Sequence, residues 1–233
     1  PTLATSAASV PPGIPHMTNF LTQHVTPSCT GTGSDGKRVQ VVYAYEAGTT
    51  NDVAGKAAVM LNEVANIDDV FAVSSAETGG GRRVRWVADS SCVPQIVVAQ
   101  VPAGLISKSA NGSTDWSTFK SALASQGLNR ADRKYLVFAD APAASPGICG
   151  LGDSYLDDRP TSNANDYYAA QYGAVYQACF AAFTNDQSSA GHELVHTLGA
   201  VQSSSPNASQ YGHCTDDSDL MCYPDGSSTP MRQ

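Results

Sequence analysis

At 233 residues, with 42% hydrophobic and only 15% charged side chains, the chain can build one sizeable core and is not composed like a disordered segment. A net charge of −8 and a pI near 4.9 make nucleic acid an unexpected partner. No stretch approaches the ~18 apolar residues that cross a membrane, so no membrane partner is expected.

Residues 1–36 are rich in Pro, Ser, Thr and Gly and read as an irregular arm pinned at Cys29. The opening "PTLATSAASVPPGIP" reads as the trimmed start of a secreted chain. Alternating, β-branched "RVQVVYAYE" predicts a strand over Arg38–Glu46. From Thr50 to Ile67, Val53, Ala57, Met60, Leu61 and Val64 recur at helical spacing behind a Thr50 or Asn51 cap, predicting an amphipathic helix. "RRVRWVAD" and "PQIVVAQVP" predict two more strands, and "TDWSTFKSALASQG" a helix capped by Thr114 or Asp115. "KYLVFAD" predicts a strand over Lys134–Asp140, and residues 141–166 a long loop rich in Pro, Gly and Asp. The apolar run "YYAAQYGAVYQACFAAF" fits helix or strand, with an edge strand over Val175–Phe180. "SSAGHELVHTLGAV" predicts a helix capped by Ser188 or Ser189, followed by a polar, turn-rich end. Strands separated by helices predict a single domain of α/β or α+β class over residues 1–233.

The six cysteines contain no C-x-x-C pair, which argues against a redox motif or a four-cysteine zinc site. Three disulfides in an oxidising, extracellular setting fit better. The expected pairs are Cys29–Cys92, Cys149–Cys179 and Cys214–Cys222, the last closing a short loop.

The predicted helix near the end carries His192-Glu193-x-x-His196. Two histidines four apart share one helix face, so both imidazoles can converge on one ion. Glu193 lies about 100° round and can reach a water on that ion. With five histidines in the chain, a chance match is on the order of a few in a thousand. Gly199 follows as a helix-ending turn.

"HELVHTLGAVQ" followed by "DLMCY" resembles the metzincin clan of zinc endopeptidases. That clan has His-Glu-x-x-His-x-x-Gly-x-x-His or Asp, then a methionine turn below the zinc. The likeness covers residues 188–202 and 219–223, and the short C-terminal part resembles snapalysin-like members. It implies a twisted, mostly parallel sheet with an antiparallel edge strand and an active-site helix. An upper part would span residues 37–199 and a small lower part residues 200–233. Met221 is then the methionine of the turn. Tyr223 matches the tyrosine of astacin-like members, a hydrogen-bond donor to the tetrahedral oxyanion.

Where the clan has a third histidine or an aspartate, this chain has Gln202. A neutral amide oxygen is a weak zinc ligand. His213 stands beside Cys214, so a Cys214–Cys222 bridge would clamp it next to the methionine turn. The favoured Zn2+ set is therefore His192, His196 and His213, with Gln202 and then Asp217 as alternative third ligands. His16 and His24 read as surface residues. The acidic runs Asp157-Asp158 and Asp216-Asp217-x-Asp219 leave a Ca2+ ion open, solvated loops being the plainer reading. The expected function is a secreted, monomeric zinc-dependent endopeptidase acting on a protein or peptide substrate, with Glu193 as general base. The rival is a catalytically inactive binding or inhibitory protein on the same scaffold, with Gln202 marking a lost metal.

Overall fold

The structure, a computed structural model, describes residues 29–143, 148–167, 169–181, 183–184, 187–209, 212–216 and 219–226. It is of mixed α/β class. In chain order the elements are β1 (Arg38–Glu46), α1 (Val53–Glu77), β2 (Ile96–Val101), α2 (Leu105–Ser109), α3 (Ser113–Ala124) and β3 (Arg133–Ala139). Then follow β4 (Gly150–Gly152), α4 (Ala164–Tyr167), β5 (Gln171–Tyr176), β6 (Phe183–Thr184), β7 (Gln187–Ser188) and α5 (Ser189–Thr197).

Five strands form one sheet in the order β2-β1-β3-β5-β4. The first four are parallel, and β4 closes one edge antiparallel to β5. Alternation along the strands splits the core in two. Val42 and Ala44 of β1 and Val137 of β3 face Phe119 and Leu123 of α3. Val41 and Tyr43 of β1, with Leu136 and Phe138 of β3, face Met60 and Ile67 of α1 and Leu194 of α5. Helices on both faces explain why the central strands are buried almost throughout. Among the described residues no helix is long and apolar enough to cross a membrane.

Several expectations change. The strand over Val175–Phe180 is instead Gln171–Tyr176, and it is internal rather than an edge. Its chain leaves the sheet at Tyr176, where Cys149–Cys179 and the bond from Tyr176 N–H to the Cys149 carbonyl hold the exit. The edge falls to β4, inside the predicted 141–166 loop. "RRVRWVAD" makes only two isolated bridges, Val39 to Trp86 beside the start of β1 and Ala88 to Pro94. The helix expected to end at Ile67 runs to Glu77 because Asp68, fully buried, pairs with Arg83 and accepts from the Val84 N–H at 2.9 Å. The α3 cap is Gly112, not Thr114 or Asp115. Disulfides Cys149–Cys179 and Cys214–Cys222 form as expected. Cys29–Cys92 does not: both thiols are free, with Cys29 in hydrogen-bonding contact with Cys92. Most of the predicted arm, residues 1–28, lies outside the described residues, His16 and His24 included.

Candidate metal centre

The site starts from how α5 is held. Ser188 caps it: the Ser188 hydroxyl oxygen accepts from the Gly191 N–H at 2.8 Å and donates to the buried Glu63 carboxyl. Ala190 and Leu194, four apart, are fully buried under the sheet, so His192 and His196 emerge on another face. The helix stops at Gly199, whose φ of +98° suits glycine and whose N–H donates to the His196 carbonyl at 2.9 Å. The Lys134 ammonium, drawn down to about 8 by burial, donates to the Thr197 carbonyl and ties this helix end to β3.

Three glycines let α5 approach the sheet. A Cβ at Gly150 would lie 2.5 Å from Glu193 Cγ, one at Gly152 2.7 Å from His196 Cβ, and one at Gly173 2.6 Å from the Glu193 carbonyl oxygen. The edge strand β4 thus runs directly over Glu193 and His196. Below them, Cys214–Cys222 closes a loop in which the Cys214 N–H donates to the Met221 carbonyl at 3.1 Å. Met221, 4% exposed, packs with Val195, Ala200 and Val201.

This scaffold brings together His192, His196 and His213, whose ligand atoms lie within 4.8 Å of one another. Each ring uses Nδ1 elsewhere. His192 Nδ1 lies 2.8 Å from the Leu220 carbonyl and His196 Nδ1 2.9 Å from the Ala200 carbonyl. His213 Nδ1 lies 3.2 Å from the Asp225 carboxylate. Carbonyls only accept, so the Nδ1 of His192 and His196 carries the proton and Nε2 keeps its lone pair. Burial draws His192 down to about 4 and lowers His196 as well, which keeps both rings neutral. Three imidazoles, each oriented through Nδ1, form a donor set that suits zinc.

Glu193 sits beside them, 7% exposed, and burial alone pushes its carboxyl up to about 8. Tyr223 is 41% exposed, its hydroxyl 3.2 Å from His213 Nε2. Burial, then the neighbouring Glu193 and Asp225, raises this phenol.

Gln202 is engaged elsewhere: its Nε2 donates to the Tyr155 carbonyl at 2.8 Å and to the Gly199 carbonyl at 2.7 Å. Asp217 lies outside the described residues. Neither acidic run forms a metal-ligand group among the described residues. The Asp157 carboxylate accepts from Arg159 and from the Ala164 N–H, which hold its pKa well below the usual range. Cys214, Asp219 and Cys222 do cluster, but the disulfide consumes both sulfurs. Sequence reasoning missed Asp225, Glu63 and the three glycines. No spacing rule marks them; a carboxylate two residues past Tyr223 is the only hint of Asp225.

No protein-family model matches the chain, and no curated protein matches it.

Proposed function

We propose that the chain is a secreted zinc-dependent endopeptidase of metzincin type. The observation that carries the reading is the convergence of three histidines, each with Nδ1 held by an acceptor, beside one buried carboxyl. The mostly parallel sheet with its antiparallel edge, the helix ended by Gly199 and the buried Met221 all fit such a protein.

His192, His196 and His213 would hold the ion. Zinc held there would supply Lewis-acid polarisation of the scissile carbonyl and a water acidified to a pKa of about 7. A cation on the three histidines would favour the charged form of the Glu193 carboxyl, which burial alone keeps protonated, so that Glu193 would act as general base and return the proton to the leaving amine. The Tyr223 hydroxyl donates to the developing oxyanion. Met221 supports the histidines from below and takes no chemical step. β4, two of whose three residues are glycine, is the outer strand of the sheet among the described residues and lies above Glu193, so an extended peptide can add to the sheet by main-chain hydrogen bonds. The two disulfides accord with an oxidising, extracellular setting.

Elemental analysis of the purified protein, paired with casein cleavage with and without a chelator, tests the reading. Bound zinc and cleavage abolished by the chelator are expected. Neither zinc nor chelator-sensitive cleavage would overturn the enzyme and leave the inactive binding scaffold. His213→Ala is expected to lose zinc and cleavage while Gln202→Ala keeps most of the zinc; the reverse would move the third ligand to Gln202.

A further inference from the structure

A cavity of about 600 Å³ opens where β1 and β3 begin, and no member of the histidine site lines it. Its charge runs against the molecule as a whole. Seven of the chain's 13 lysines and arginines line it, facing two aspartates, Asp132 and Asp166, although the net charge is −8. Part of this charge is balanced internally. Arg38 pairs with Asp35 at 2.8 Å, Arg83 with Asp68, and Arg133 with Asp132 at 2.9 Å.

Of the remaining cations, Lys37, Arg82 and Arg85 are exposed. The Arg85 side chain is 44% exposed; its guanidinium donates to the Thr30 hydroxyl at 3.3 Å and the Asp35 carbonyl at 3.4 Å, and lies 3.7 Å from the Asp35 carboxylate. Arg82 is exposed and held through its backbone to Ser75, and its guanidinium has no partner among the described residues. Phe71, Val84 and Leu198 contribute apolar surface to the lining.

Clustered like charges in a partly enclosed site repel one another and attract an anion. An inorganic anion would leave the apolar walls unused, and a neutral lipid would leave the guanidiniums unmatched. The volume suits a small molecule, typical sites spanning roughly 300–1,000 Å³. We propose that this cavity binds an amphipathic organic carboxylate. Its apolar body lies against Phe71, Val84 and Leu198, and its head group lies on Arg82 and Arg85. Arginine suits this role because its planar fork matches a carboxylate bidentately and is weakly hydrated.

Isothermal titration of the full chain with dodecanoate tests the proposal. Acetate (head group alone) and dodecyltrimethylammonium (same chain, opposite charge) serve as controls. One saturable dodecanoate site is expected, with neither control binding in the same range. The Arg82→Glu/Arg85→Glu pair should weaken binding by at least ~10-fold. Arg82→Gln/Arg85→Gln should give a smaller loss, and both pairs should keep the wild-type circular dichroism. The Lys56→Glu/Lys108→Glu pair, at positions that do not line the cavity, should bind like wild type. Absence of saturable binding, equal binding of the cation, or affinity indifferent to the Arg82/Arg85 substitutions would each overturn the proposal.

Discussion

Asp225 does for His213 what two backbone carbonyls do for His192 and His196: it holds Nδ1 and thereby aims the opposite nitrogen. Partners of this kind are worth about 10- to 100-fold in metal affinity. Asp225→Ala is therefore expected to weaken zinc binding by about that factor, read by competition with a chromophoric chelator. Affinity equal to wild type would remove Asp225 from the orienting role. A second buried carboxyl makes a pH prediction. Glu63, 2% exposed, is pushed up to about 7 by burial, against an ordinary 4.5, despite the Ser188 hydroxyl that favours its charged form. The folded state thus holds this proton longer than the unfolded state. Glu63's contribution to stability is complete below pH 4.5 and is lost as pH rises through about 7, a change of ~3 kcal/mol. Denaturant melts at pH 5 and pH 8 should show this loss in wild type and a smaller one in Glu63→Gln. Identical pH slopes in the two proteins would refute the assignment.

The contact between α5 and the sheet edge rests on glycines rather than on interlocking side chains. Gly150→Ala puts a methyl 2.5 Å from both the Ala174 carbonyl oxygen and Glu193 Cγ, so strand or helix has to shift. The expected cost is about 1–3 kcal/mol, seen as a lower melting temperature, together with reduced casein cleavage because the shift displaces Glu193. Gly81→Ala, whose new methyl meets nothing within 4 Å, should change stability by less than ~0.5 kcal/mol. Equal melting temperatures for Gly150→Ala and wild type would show that the edge yields without cost. The same elements show what the sequence could and could not convey. β1, β3 and α5 were legible because periodicity or a cap residue agrees with the burial that each achieves. β4 was not, since "GLG" has no strand propensity and gains its conformation only by pairing with β5. The second half of α1 was hidden because Asp68 and Asp69 interrupt the apolar spacing, yet both are buried, Asp68 on Arg83. His213 was reachable as the last histidine beside a bridged cysteine; Asp225 depended on a fold of the tail that no pattern announces.

At the scale of the molecule, the two halves of the histidine site rest on unequal foundations. His192 and His196 belong to a helix packed into the core beneath the sheet. His213 belongs to the tail, whose own buried cluster is Cys214, Met221 and Cys222 against Val195, Ala200 and Val201. So small a cluster cannot by itself offset the entropy of ordering the loop. The Cys214–Cys222 bridge makes up the difference, with a loop of this length contributing about 2–3 kcal/mol. Replacing both cysteines by serine should therefore separate two properties that are joined in the wild type. The sheet and α5 should keep their far-ultraviolet circular dichroism and most of their melting temperature. Zinc affinity should fall by at least ~10-fold, because ordering His213 then costs part of the binding free energy. Proteolysis by a second enzyme should cut residues 200–226 first in the metal-free variant, before the sheet is attacked. Zinc affinity unchanged by the double substitution would mean that the tail folds on its own contacts. Loss of the sheet along with the zinc would mean that upper and lower parts form one cooperative unit.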